Sequence, residues 1–363
     1  MTATSFVRYQ DSIEHVPEGE PQAIDEIIAS MTRESGIVAA RHGHAVRASH
    51  AKSHGLLKGT LEILPNLPEP YRQGLFAAPG THEVLVRLAT GPGEILPDSV
   101  ATHRGMAIKV LGVEGAMLPG HDARTQDFVL ASGPAFPQPD AAGFLKSMKQ
   151  LEAATPLPAA LKTAAATAAR AANAVLGAVG APSGTLDFFG HPPVHPLAET
   201  YYSQAPLRFG DYVAKVAAFP ASPAQLALAE TSLPVAADPD ALRHATEAFL
   251  RDGGATYELR AQLCSDLAAM PVEDASVQWP ESESPYVTVA RITLPAQDAC
   301  APARRAFMDD AMSFRPAHSL AAHRPLGSLM RARLRTYAAL SAFRHARNGT
   351  APQEPATLAD VPD

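Results

Sequence analysis

The hydrophobic period of this chain changes again and again, and 33 prolines and 24 glycines punctuate its 363 residues. Proline breaks helix interiors and removes a donor from central strands, so this punctuation argues against a helix bundle and for a loop-rich mixed fold. The run Leu57-Lys58-Gly59-Thr60-Leu61-Glu62-Ile63 partly alternates apolar with polar and stops at Pro65, which predicts a strand and a turn. Residues 84–88, 106–113 and 128–131 are short runs rich in Val, Ile and Leu, each bounded by Gly, Pro, Asp or Thr. Strand signals return over 212–218, 256–264 and 286–294, where Tyr257, Leu259, Ala261 and Leu263 alternate with Glu258, Arg260 and Gln262. An antiparallel barrel or strongly curled sheet pairs all of these strands most economically.

Helical spacing interrupts the sheet. Ile24, Ile27, Ile28 and Met31 predict one short helix at the end of a polar arm over residues 1–40. Phe144, Leu145, Met148 and Leu151 stripe a helix over 140–153, and an Ala-rich helix follows over 158–179, its small side chains suggesting close packing. The last long helix runs from about residue 326 to about residue 347, started by Pro325 and stopped by Asn348-Gly349. With no repeat of 20 to 50 residues and no dividing linker, the expected organisation is an arm over 1–40, one domain over 41–349, and a disordered tail over 350–363, rich in Pro and acidic groups.

Charge and cysteine content narrow the function classes. Thirty-seven acidic against 30 basic side chains leave a net charge of −7, and no long basic block is present to neutralise a phosphate backbone, so nucleic acid is not an expected partner. Cys264 and Cys300 are the only cysteines, which excludes a disulfide framework and points to reduced thiols in the cytoplasm. The acidic first twenty residues do not resemble a signal peptide, and the Ala-rich stretch over 164–182 is interrupted by Arg170 and Asn173, so no membrane span is expected.

Arg333, Tyr337 and Arg344 stand at i, i+4 and i+11 of the terminal helix, and eleven residues at about 100° each return to within about 20° of one face. A phenol ordinarily titrates near 10, and a guanidinium one turn away favours the phenolate, the form that a ferric iron accepts. Arg-x-x-x-Tyr could therefore be a proximal haem ligand with its charge partner, or a tyrosine capping a core on an Arg-rich surface helix. In Arg47-Ala48-Ser49-His50-Ala51-Lys52-Ser53-His54, just before the first strand, His50 could work as an acid–base group facing a bound iron, or both histidines could be hydrogen-bonded loop residues. Arg87 sits within an apolar strand, where its charge needs a carboxylate: Asp98, Glu94 or Asp127, or a ligand's carboxylate such as a haem propionate. No dinucleotide fingerprint, Walker loop or nucleophile elbow is present; His191 and His195 lie in a Pro-rich turn, and Trp279 reads as a packing residue.

Taken in order, Arg47-x-x-His50-Ala51-Lys52, Val86-Arg87-Leu88-Ala89-Thr90, Arg104-Gly105-Met106-Ala107-Ile108-Lys109, Val277-Gln278-Trp279-Pro280 and Arg333-Leu334-Arg335-Thr336-Tyr337 resemble the successive motifs of haem catalases. The resemblance spans roughly four-fifths of the chain and is closest to the small catalase-related peroxidase group that lacks the C-terminal extension. It implies an α+β fold, a catalase-like antiparallel β-barrel with helical insertions and a C-terminal helix carrying the proximal haem ligand, and it implies haem b as cofactor. By the same resemblance His50 is the distal acid–base group, Tyr337 the iron ligand and Arg333 the group that keeps it ionised. Arg47, Arg87 and Arg344 match the propionate-holding positions, and Phe128 falls near an aromatic that packs on the haem.

Two positions depart from that pattern. The hydroxyl that supports the distal histidine corresponds to Ala89, leaving Thr90 as the alternative donor, and where the family places a distal asparagine this chain offers Arg124. The expected activity is haem-dependent decomposition of hydroperoxides in peroxide defence: a peroxidase with weak catalase activity. A haem isomerase or dehydratase of organic or lipid hydroperoxides is the first alternative, and a non-enzymatic haem carrier or sensor the second. The implied partners are a small-molecule peroxide and an electron donor of unknown identity; the N-terminal arm could reach a second copy in a homo-oligomer.

Overall fold

The computed structural model describes residues 5–229 and 231–363. Its sheet is built from β1 (Lys52–Ile63), β2 (Gly80–Thr90), β3 (Arg104–Leu111), β4 (Thr125–Ser132), β5 (Tyr201–Tyr202), β6 (Leu207–Phe209), β7 (Tyr212–Pro220), β8 (Ala255–Leu263) and β9 (Val287–Leu294). The order is β5-β4-β3-β2-β1-β9-β8-β7-β6, and a further β5–β7 pairing closes eight strands into a barrel, with β6 hydrogen-bonded on β7. Every pairing is antiparallel. The α+β architecture expected from the sequence is therefore present.

Around the barrel lie α1 (Glu20–His42), α2 (Ala141–Ala154), α3 (Ala159–Ala178), α4 (Gly184–Phe189), α5 (Pro223–Leu226), α6 (Ala241–Asp252), α7 (Pro302–Ala306) and α8 (Ser328–Asn348). Among the described residues no helix is long and apolar enough to cross a membrane. Strand parity decides what faces what, because successive side chains point to opposite faces. Val84, Val86 and Leu88 of β2, Met106, Ile108 and Val110 of β3, and Phe128 and Leu130 of β4 fill the barrel. The opposite parity, Arg87 and Ala89, Gly105 and Ala107, Val129 and Ala131, faces outward into a space that α1, α2, α3 and α8 cover.

Three local expectations are corrected. The first helix is long, at 23 residues, because Ile24, Ile27 and Met31 pack on Ala141 and Met148 of α2 and on Ala332 of α8. The Ala-rich α3 is not closely packed: only Ala166 is buried, and Leu161, Val175 and Val179 are exposed. Residues 350–363 are ordered. Val361 is buried beside Leu56 and Leu85, Glu354 lies 3.0 Å from the buried Lys109, and Asp363 pairs with Lys58 at 2.6 Å and Arg304 at 2.9 Å. Two of the acidic groups that made the tail look disordered, Glu354 and Asp363, are partners of Lys109 and Lys58 on the barrel strands and of Arg304 on α7.

Candidate active site

A cavity of about 590 Å³ lies between the outward face of β2, β3 and β4 and the covering helices. His50, Arg47, Arg87, Arg333, Tyr337 and Arg344 all line it, so the structure brings together the six polar residues read from the sequence. α8 presents Arg333, Tyr337, Leu340 and Arg344 along one stripe, as the helical period requires. An Arg333 Nη2 donates to the Tyr337 hydroxyl at 3.2 Å, and its Cζ is 5.5 Å from the ring centre. This geometry gives the phenol oxygen a charged hydrogen-bond donor.

His50 is set by backbone at both ends. Its own N–H donates to the Gly91 carbonyl at 2.8 Å, its carbonyl accepts from Arg87 Nη2 at 2.8 Å, and its φ of 53° lies in the left-handed region that non-glycine residues rarely enter. The ring rests on Gly105, where a Cβ would meet the imidazole Cε1 at 2.6 Å, so only glycine leaves room there. Burial, with His103 and Arg87 nearby, holds the His50 imidazole well below the ordinary histidine value, and the ring is neutral. A neutral imidazole can accept a proton from a bound hydroperoxide. Its Nδ1 is enclosed and has no hydrogen-bond partner among the described residues.

The support expected from Thr90 goes elsewhere. Register slips by one residue between Ser53 and Gly55 of β1, and the bulged His54 turns into the protein, where its Nε2 meets the Thr90 hydroxyl at 2.6 Å. His50 and His54 therefore serve different environments. Arg124 does not line the cavity, and Phe128 is corrected too: its side chain stacks in the barrel near Phe76 because it has the inward parity, and Val129 takes the cavity side.

Sequence reasoning missed the partner of the arginines. Arg87 meets none of Asp98, Glu94 and Asp127, which pair with Lys52 at 2.7 Å, with Arg41 and Lys162, and with Lys109 at 2.8 Å. Instead Asp309, on a one-turn π-helix over Phe307–Ala311, lies 3.1 Å from Arg47 and 3.7 Å from Arg87, and its carbonyl accepts from Arg344 at 2.6 Å. Two guanidiniums thus share one carboxylate, and the third bonds the main chain of the same residue. Burial and mutual repulsion pull Arg87 and Arg344 down to about 9, and the Nε atoms of both are enclosed without hydrogen-bond partners among the described residues. A cluster with surplus positive charge and unspent donors suits an anionic group with more than one carboxylate. No sequence spacing links residue 309 to residues 47, 87 and 344.

A search of solved structures finds catalases. A fungal catalase superposes with a TM-score of 0.58 at 18% identity over 85% of this chain and 61% of its own, and a bacterial catalase with 0.57 at 16% over 85% and 59%. Catalase A from Saccharomyces cerevisiae follows with 0.56 at 16% over 94% and 68%. This chain has the catalase fold. It spans about three-fifths of the length of the fungal and bacterial catalases. No protein-family model matches the sequence, and no curated protein does. Within that fold the remaining cavity wall is largely apolar: Met31, Phe144, Met148 and Leu151 from α1 and α2, with Leu161 and Phe188 from the α3–α4 hairpin.

Proposed function

We propose that this chain is a haem b enzyme that decomposes hydroperoxides, with Tyr337 as the iron ligand and His50 as the acid–base group. The observation that carries this reading is the convergence of the Arg333–Tyr337 pair, a buried His50 ring and the arginines Arg47, Arg87 and Arg344 on one cavity. The residues present fit the cofactor. A phenol oxygen with a guanidinium donor suits a ferric iron, and the unpartnered Nε atoms of Arg87 and Arg344 suit propionate carboxylates, with Arg47 beside them. Phe144, Met148, Val129 and Leu340 would enclose the apolar ring.

Bound there, haem supplies an iron at which a hydroperoxide can be reduced. The chain's own residues do the rest. His50 takes the hydroperoxide proton on its nitrogen and returns it to the departing oxygen, so that the leaving group is water or an alcohol rather than an oxyanion. Arg333 stabilises charge on the Tyr337 oxygen, and the apolar wall excludes bulk water from the ionising groups.

The missing hydroxyl at Ala89 favours slow dismutation of hydrogen peroxide, and the apolar cavity favours organic hydroperoxides among the substrates. The role drawn from this is peroxide defence in the cytoplasm, with an electron donor supplied from outside. The test is to load the protein with haem and follow oxygen release from hydrogen peroxide, donor oxidation, and the products of an organic hydroperoxide. Donor-dependent turnover that His50→Ala abolishes supports the reading. Conversion of the organic hydroperoxide without donor or oxygen release would favour an isomerase, and haem binding without any turnover would reduce the protein to a carrier.

A further inference from the structure

A second histidine shares the cavity with His50. The rings of His103 and His50 meet edge to face at 84° with centroids 5.2 Å apart, and both line the same wall. His103 is held by Phe188. Its ring stacks on Phe188 at 3.7 Å and 14°, its backbone N–H donates to the Phe188 carbonyl at 3.0 Å, and its Nδ1 lies 3.4 Å from that same oxygen. Gly91 makes room for it, since a Cβ there would meet the ring's Cε1 at 2.2 Å.

The carbonyl beside Nδ1 can only accept, so Nδ1 carries the proton and Nε2 keeps its lone pair. Nε2 has no hydrogen-bond partner among the described residues. Burial pulls His103 down to about 4, so the ring stays neutral. Of the two positions expected to support His50, Ala89 has no hydroxyl and the Thr90 hydroxyl is spent on His54.

Resting on the functional reading above, we propose that His103 is a specificity-determining residue that accepts a hydrogen bond from the second O–H of hydrogen peroxide while His50 takes the first proton. An alkyl hydroperoxide has one O–H and cannot use this contact. The proton that moves goes from the peroxide to His50; His103 exchanges no proton and breaks no bond.

The experiment compares haem-loaded wild type, His103→Phe and His103→Gln on hydrogen peroxide and on cumene hydroperoxide. Loss of one hydrogen bond lowers kcat/KM for hydrogen peroxide about tenfold in His103→Phe and leaves cumene hydroperoxide within about twofold. Gln, whose amide oxygen accepts, recovers hydrogen peroxide turnover to within about threefold of wild type. Equal losses on both substrates, or no loss on either, overturn the proposal. Nitrogen-detected NMR of the wild type reads the tautomer independently of any variant's folding: Nδ1–H on neutral His103 is expected, and Nε2–H contradicts it. A wild type that takes up no stoichiometric haem defeats the functional reading, while the tautomer still decides whether His103 offers an acceptor.

Discussion

Arg333 and Tyr337, one turn apart on α8, are joined by a 3.2 Å hydrogen bond from guanidinium to phenol oxygen, and that oxygen receives no other hydrogen bond among the described residues. Arg333→Leu removes this donor together with the guanidinium's contacts to the Met330 sulfur at 3.4 Å and the Val129 carbonyl at 3.5 Å. The expected outcome is about a tenfold weaker retention of haem, measured by transfer to an excess of a haem-scavenging protein. Retention equal to wild type would mean that the pair is ornamental.

Ala89 lies beside the His50 ring on the outward face of β2, and the enclosed Nδ1 of His50 has no hydrogen-bond partner among the described residues. Ala89→Ser adds one oxygen at a residue that is only 2% exposed, where the added hydroxyl can bond that nitrogen. Hydrogen peroxide dismutation by the haem-loaded variant rises about fivefold, in line with roughly 1 kcal/mol of better positioning. Oxygen-electrode rates at or below the wild-type level would show that the orientation of His50 is already fixed by its backbone.

The buried Lys109 is neutralised by Asp127 at 2.8 Å and by Glu354 from the C-terminal segment at 3.0 Å. Asp127→Asn leaves a buried cation short of its inner partner and destabilises the fold by about 3 kcal/mol, read from the urea midpoint. Truncation after Gly349 exposes the same lysine together with Leu56 and Leu85, and lowers Tm by several degrees. A truncated chain as stable as the full one would return residues 350–363 to the status of a tail.

Stability depends on pH on both sides of 6.5. His50 and His54 are held well below the ordinary value and His103 and His323 at about 4, all by burial, so unfolding takes up protons and stability is lost as pH falls from 6.5 toward 4. His191 is pushed up to about 9 by Glu199 and Asp187, against the opposing effect of its burial. Its contribution is complete below 6.5 and disappears as pH rises through about 9. Urea midpoints measured across pH 5 to 9 therefore fall in both directions, and His191→Gln flattens the alkaline limb alone. An unchanged alkaline slope in that variant would contradict the assignment.

Much of the barrel was legible because alternating or continuous apolar runs bounded by Gly and Pro mark strands: seven of the nine were anticipated, and β5 and β6, at two and three residues, are too short to carry a period. That Arg333, Tyr337 and Arg344 share a face was legible from their spacing, which needs only helical geometry. Phe128 failed for want of parity: a one-residue difference separates the barrel interior from the cavity, and no single run fixes which side is which. Asp309 and His103 were invisible for a different reason. Each acts through contacts made across the fold, with Arg47 and Arg87 in one case and with Phe188 and His50 in the other.

The central claim is that Tyr337 holds a haem iron in this cavity, and the visible spectrum of the purified, haem-loaded protein beside Tyr337→Phe tests it most directly. The account predicts one haem per chain with a high-spin ferric spectrum, and a spectrum lost or shifted in the variant. Sub-stoichiometric haem, or a spectrum indifferent to Tyr337, would contradict it.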